Sequence, residues 1–237
     1  MNYLISGAGG NIGKKIVEEL YNSSDNFILL YNSKKKNFKK KNINYIKCDF
    51  RNLKEVKDLI NFILKKFSKI DVFINCAGNA NPYKNAFDIS NEELENSLRI
   101  NFKSPLIIMN QIIQNQIKKK LKLNIVNIST NTIKYNGSKY NLPYLCSKAA
   151  LESACKNLSK TYINRNIRIN IIRPGLINSN MSKKIKGYTS KKLKKRITLI
   201  PLKKIGTPND IAKTVKFIIS KDSNYIHGQI FTIAGGE

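Results

Sequence analysis

Tyr31, Tyr135 and Tyr144 are each followed four residues later by a lysine: Lys35, Lys139 and Lys148. On a helix such a pair shares one face, a turn apart. An ammonium beside a phenol favours the phenolate and pulls the tyrosine toward the range where it can donate a proton near neutral pH. The spacing is common by chance, so the surroundings must decide. Asn136-Gly137 interrupts the second match with a turn signal, whereas Tyr144-Leu-Cys-Ser-Lys148 runs on into Ala149, Ala150, Leu151 and Glu152, all good helix formers. A second stretch with chemical potential is Ser6-Gly-Ala-Gly-Gly-Asn-Ile-Gly13. Glycines between a strand and a helix let the backbone approach a pyrophosphate, whose charge the free N–H groups and the helix dipole can meet.

Other chemistries are poorly supplied. Cys48, Cys76, Cys146 and Cys155 show no CxxC pairing, and His227 is the sole histidine, so buried reduced thiols are expected, with no metal site and no histidine-based triad. The formal net charge is +28, from 43 Lys+Arg against 15 Asp+Glu. Such a field suits nucleic acid, an anionic surface or an acidic carrier protein. The lysines are spread along the chain without a nucleic-acid-binding signature, which favours a solvated basic surface and argues against nucleic acid as a partner. No apolar run approaches membrane-spanning length and no leader pattern opens the chain, so a cytoplasmic protein is expected.

The elements that must position these residues follow from periodicity. Strands are expected at Tyr3–Ser6, Phe27–Tyr31, Ile43–Lys47, Val72–Asn75, Asn124–Ser129, Arg168–Ile172 and Gln229–Ile233. Helices are expected near Ile12–Tyr21, Leu53–Phe67, Asn91–Asn115, Tyr144–Tyr162 and Pro208–Ser220, with the lysine-rich Asn32–Asn42 connection too short for a full one. This βα alternation predicts one α/β domain over residues 1–237, a doubly wound, seven-stranded parallel sheet flanked by helices. A basic segment at about 180–200 follows the sixth strand and would lie over the ligand crevice as a lid.

In such a fold the ligand sits at the carboxyl ends of the strands. The second strand ends in Tyr31, Asn32, Ser33 and Lys34 with no carboxylate for a ribose, which favours NADP(H) over NAD(H). Asp49, and Asn75-Cys76-Ala77-Gly78 after the fourth strand, should flank the same crevice.

Taken together the chain resembles the short-chain dehydrogenase/reductases, with their Rossmann-type fold, over essentially its whole length. The resemblance assigns Ser6, Gly7, Gly9, Gly10, Asn11, Ile12 and Gly13 to the cofactor turn, with Asn11 in place of a glycine and tolerable there because asparagine enters left-handed conformations. It adds Asn32, Ser33, Lys34, Asp49, Phe50, Asn75, Ala77 and Gly78 on the adenosine side. Pro174, Gly175, Ile177, Ser179 and Met181 fall on the nicotinamide side. It implies Asn101, Thr130, Tyr144 and Lys148 as catalytic groups, with Ser129 in reserve because successive strand residues face opposite ways. Tyr144 and Lys148 would also touch the cofactor. The implied reaction is hydride transfer between a nicotinamide and a carbonyl or secondary alcohol, in a homo-oligomer, tetramer or dimer. A 3-oxoacyl thioester, free or on an acidic carrier protein, is the first expectation for substrate, followed by a sugar or surface-glycan precursor. A catalytically idle basic binding protein is the alternative of another class.

Overall fold

A computed structural model describes residues 1–33, 38–81, 84–137, 140–179 and 189–237. Lys34, Met181 and residues 180–188 of the expected lid lie outside this set.

Seven strands form one parallel sheet in the order β3-β2-β1-β4-β5-β6-β7. They are β1 (Asn2–Ser6), β2 (Asn26–Tyr31), β3 (Ile43–Lys47), β4 (Val72–Asn75), β5 (Leu123–Ile128), β6 (Ile167–Pro174) and β7 (Ile230–Ile233). The helices are α1 (Asn11–Leu20), α2 (Leu53–Phe67), α3 (Asn91–Leu98), α4 (Ser104–Lys118), α5 (Leu142–Thr161), α6 (Ser190–Thr198) and α7 (Pro208–Ile219). The described part of the 32–42 connection holds no helix, as its length and lysines predict. Among the described residues no helix is long and apolar enough to cross a membrane.

Alternation along the strands makes two cores. Leu4, Ile28, Leu30 and Phe73 point to the side packed with Val56, Ile60 and Ile63 of α2, Ile108, Ile112 and Ile113 of α4, and Leu151 and Cys155 of α5. Ile5, Phe27, Leu29 and Ile74 point the other way, onto Ile16 and Val17 of α1 and Ile211, Val215 and Ile218 of α7. Strands covered on both faces have no polar alternation, hence the continuous apolar runs in the sequence. Chain order runs outward from β1 to β3 and then returns to β4 beside β1, so the switch point falls between β1 and β4, where a crevice opens at the strands' carboxyl ends.

The single helix expected at Asn91–Asn115 is instead two helices separated by a π turn, Arg99–Lys103. Ser90 begins α3 with a capping box to Glu93, and Pro105 opens α4. The π turn inserts one extra residue into the helical ladder, which changes the face presented on either side of Asn101. Hydrophobic periodicity near 3.6 passes over such an insertion, so the pattern alone read as continuous.

At the far end of the sheet Gln116, fully buried, donates from Nε2 to the Ile70 carbonyl at 2.7 Å and the Lys122 carbonyl at 3.0 Å. It ties α4 to the strands on either side of it. Gln116→Leu is expected to cost about 1–3 kcal/mol for each carbonyl left unpaired, read as a lower urea midpoint at unchanged slope.

Candidate active site

The crevice is a cleft of about 1380 Å³, large enough for a dinucleotide and a second small molecule side by side. One end is built by the β1–α1 turn. Gly7 has φ +69°, and a Cβ there would stand 2.6 Å from the Ala77 nitrogen and the Cys76 oxygen. A Cβ on Gly13 would stand 2.3 Å from the Gly7 oxygen. Both positions therefore demand glycine. Gly10 caps α1 without a side-chain bond, and the first turn of α1 has no acidic residue. Its leading N–H groups meet the cleft with the positive end of the helix dipole, a fit for a pyrophosphate. Asn11 is the first residue of α1 with ordinary helical backbone, so the left-handed tolerance invoked for it is not used; Gly7 carries the positive φ instead.

Behind this turn the strand ends are pinned by a buried polar ladder. Ser6 Oγ donates to Asn75 Oδ1 at 2.8 Å, Asn75 Nδ2 donates to Asn127 Oδ1 at 3.0 Å, and Asn127 Nδ2 reaches Cys155 Sγ at 3.1 Å. Ser6 and Asn75 are therefore supports behind the cleft and do not line it. Asp49 and Phe50 also stand apart from the cleft. The Asp49 carboxylate is held by Arg51 at 2.5 Å, which keeps it below the usual carboxylate range, and Phe50 is buried in the core. Tyr31, Asn32 and Ser33 do line it, as do Gly9, Ile12, Ala77 and Gly78.

The chemical groups come from α5. Tyr144, Lys148 and Glu152 lie one turn apart on its buried face, and Tyr144 and Lys148 both line the cleft. Lys148 is 2% exposed; its Nζ donates to the Ile128 carbonyl at 2.9 Å and toward the Ala77 carbonyl at 3.4 Å. Two donors are thus spent on backbone and one is left for the cleft. Burial lowers the Lys148 pKa from 10.5 to about 8, a drop that Cys76, Cys155 and Glu152 oppose. A Cβ on Gly78 would stand 3.3 Å from Lys148 Nζ, so this glycine leaves the ammonium its room.

Asn101, fully buried in the π turn, accepts from the Asn79 nitrogen at 2.9 Å and donates to the Asn79 carbonyl at 2.9 Å and Ser97 Oγ at 3.2 Å. It fastens the loop after β4 and does not line the cleft itself. Ser129 and Thr130 both line the cleft, in different circumstances. Ser129 Oγ donates to Glu152 Oε1 at 2.5 Å, and Glu152 is gripped on both oxygens by Arg173. Thr130 caps the short 3-10 helix Asn131–Tyr135 and its hydroxyl pairs with that of Thr132. Pro174, Gly175, Ile177 and Ser179 line the opposite wall with Lys192, Arg196 and Leu199 from α6 and its end. His227 bridges the Ile169 nitrogen and the Ser159 carbonyl, away from the cleft. Among the described residues no group of three or more His, Cys, Asp or Glu side chains could hold a metal ion.

Sequence reading missed the Glu152–Arg173 clamp and two cleft residues with buried, unpaired polar atoms: Asn131, at both Oδ1 and Nδ2, and Glu237, at Oε2. The first had a signal, since Glu152 continues the Tyr144–Lys148 spacing by one more turn. The others depend on loop placement alone.

A sheet of this order, with a glycine-lined phosphate turn at its switch point and a Tyr-x-x-x-Lys helix beside it, defines a nicotinamide-dinucleotide oxidoreductase of the Rossmann type. Residues 7–237 match the family model described as enoyl-(acyl carrier protein) reductase, and the chain belongs to the short-chain dehydrogenase/reductase family, an NAD(P)-dependent class. It is 31% identical over 239 residues to the 3-oxoacyl-[acyl-carrier-protein] reductase FabG of Buchnera aphidicola subsp. Baizongia pistaciae, covering 98% of this chain and 95% of the relative. It is 29% identical to the FabG of Rickettsia bellii, with the same coverage. Among solved structures, 4-hydroxyisoleucine dehydrogenase complexed with NADH matches with a TM-score of 0.86 at 24% identity, and ElxO with NADP bound with 0.85 at 26%. Each match covers 99% of this chain and 97% of the other.

The pKa of Lys148 sets a pH dependence. Between about 8 and 9 the unfolded chain still holds this proton while the fold releases it, so this group raises stability with pH by up to roughly 1.4 kcal/mol per pH unit. From about pH 8 upward the thiols of Cys48, Cys76 and Cys155, pushed up from 9.0 to about 12 by burial, act in the opposite sense: the unfolded chain ionises first, and stability falls toward pH 12. The two slopes cancel at about pH 8.5, so denaturation curves at half-unit steps should show a shallow maximum there, and Lys148→Met should lack the rise on its acid side.

Proposed function

We propose that the chain reduces the 3-oxo group of an acyl thioester with NADPH, Tyr144 donating the proton. The observation that carries this reading is the meeting, on one cleft, of the glycine turn with Tyr144, Thr130 and a buried Lys148 that keeps one donor uncommitted. The bound nicotinamide would supply the hydride. The β1–α1 turn would hold the pyrophosphate, and Ser33, with Lys34 outside the described residues, would favour a 2′-phosphate. Ile177 and Ser179 would orient the nicotinamide end, with Met181 again outside the described residues. Lys148 would hold ribose hydroxyls and stabilise the developing phenolate. Thr130 is the hydroxyl that would meet the carbonyl oxygen, because the Ser129 proton is committed to Glu152. Asn101 uses both Nδ2 protons inside the protein, so it would join a water-linked proton path only as an acceptor and otherwise fixes the Ala77–Asn79 loop under Lys148.

The thioester is favoured by relatives matched over nearly their full length and named as 3-oxoacyl-carrier reductases. The +28 charge suits an acidic carrier, with exposed Arg165 as one contact. Assembly into a homo-oligomer belongs to the same reading, and sedimentation would test it.

Tyr144→Phe should lower turnover of acetoacetyl thioesters by about 100-fold or more while NADPH binding, read by thermal shift, stays within a few-fold. Retained turnover would remove Tyr144 from the mechanism. Thr130→Val should depress kcat by roughly 10²-fold, whereas Ser129→Ala should act mainly on stability by loosening the Glu152–Arg173 clamp; the reverse pattern would exchange the two roles. Comparing kcat/KM for NADPH and NADH decides the cofactor.

A further inference from the structure

Asn131 directly follows Thr130, lines the cleft and is 2% exposed, yet neither Oδ1 nor Nδ2 has a hydrogen-bond partner. Among the described residues nearly every other buried side-chain amide is satisfied. Asn75, Asn101, Asn127 and Gln116 all bond to protein atoms, which makes Asn131 an exception in need of a cause. Leaving both ends of a buried amide unpaired costs about 1–3 kcal/mol for each group, so folding alone would favour an apolar side chain of the same size here. Unpaired polar atoms kept beside a reacting carbonyl are a reservoir that a ligand can draw on. The ligand must offer both a donor and an acceptor, since Oδ1 accepts and Nδ2 donates. Both atoms are buried while the residue lines the cleft, so the recognition requires the amide to turn about χ2, a soft sp³–sp² torsion, when a ligand binds. A bare aliphatic acyl chain would leave the amide orphaned and would draw nothing from it.

We infer that Asn131 is a substrate-recognition residue that binds the amide lying just beyond the sulfur of a thioester substrate. The inference rests on the thioester reading above. In a carrier-type thioester the arm attached to sulfur continues as an ethyl unit and then a secondary amide, with one N–H and one C=O. That group supplies the donor and the acceptor Asn131 lacks, at the end of the substrate that leads from the carbonyl out of the cleft. Glu237 supports a polar ligand independently: it also lines the cleft, its Oε1 pairs with Arg196, and its Oε2 is buried without a donor close to where a Gly175 Cβ would lie. Asn131 thereby makes the cleft select for the arm of the thioester as well as for its 3-oxo group.

The test compares two substrates that share the acetoacetyl group, acetoacetyl-N-acetylcysteamine thioester, which carries the amide, and ethyl acetoacetate, which lacks it. Asn131→Leu should lower kcat/KM for the thioester by about tenfold or more and change the ester by less than about two-fold, while the unliganded Tm stays level or rises by a few degrees. Asn131→Ala, which removes the amide without adding bulk, should show the same split if the leucine variant folds poorly. Equal losses on both substrates, or none on either, would make Asn131 structural and overturn the inference. A loss confined to a hydroxylated ketone such as erythrulose would overturn the amide assignment. If the unaltered enzyme reduces the ester but no thioester, the thioester reading fails and this inference with it, a result visible before any variant is made.

Discussion

Three strands end in a line of buried hydrogen bonds, Ser6 to Asn75 to Asn127 to Cys155, and the rest of the active site depends on it. Polar side chains at the carboxyl ends of β1, β4 and β5 cannot be left dry without a cost of a few kcal/mol, so each must find its neighbour. Meeting that demand fixes the relative height of the three strand ends, in the register Ser6 to Asn75 and Asn75 to Asn127. From those ends leave the glycine turn, the Ala77–Asn79 loop and the segment carrying Ser129 and Thr130. Ser6 Oγ also receives the Ala77 N–H at 3.2 Å, so the ladder sets the carbonyl that Lys148 faces. The cleft is thus shaped from behind by groups no ligand in it needs to touch.

The other constraint is the burial of charge. Lys148 sits at 2% exposure with two backbone carbonyls for company, and Glu152 lies one turn further along α5 with Arg173 and Ser129 around it. Neither charge could be buried alone. The lysine is tolerated because backbone dipoles and a nearby carboxylate partly replace water, and the remaining cost appears as its lowered pKa. The glutamate is tolerated because an arginine at the end of β6 grips both its oxygens. This clamp has a geometric effect: it binds the end of β5 to α5 and to the residue before Pro174-Gly175, so the walls carrying Thr130 and Gly175 are held to the helix that carries Tyr144.

Much of this was legible in the chain itself. Continuous apolar strands alternating with amphipathic helices require a sheet covered on both faces, and all seven strands fall within two residues of where periodicity places them at either end. Gly7 and Gly13 announced a tight turn that only glycine can make. The choice among the Tyr-x-x-x-Lys matches followed from local physics too, since Asn136 and Gly137 do take positive φ. By contrast, the π turn at Arg99–Lys103 hides beneath an unbroken hydrophobic pattern, and Asp49, placed near the crevice by chain order, does not line the cleft and has its carboxylate paired with Arg51, two residues on.

What the sequence by itself determined is therefore the seven strands, their order along the chain and the shared buried face of α5 on which Tyr144 and Lys148 sit, because these depend on interactions within a few residues or on the period of burial. Only the tertiary structure decided which side chains are committed and which are available. Family resemblance ranks Thr130 ahead of Ser129, but the commitment of the Ser129 proton comes from Glu152 and Arg173, brought from α5 and β6. Asn75 and Asn101 look like ligand groups until their partners are seen, and Asn131 looks like a turn residue until its lack of partners is seen. Hydrogen-bond satisfaction is a property of the assembled interior, set by residues far apart along the chain, and no local pattern encodes it.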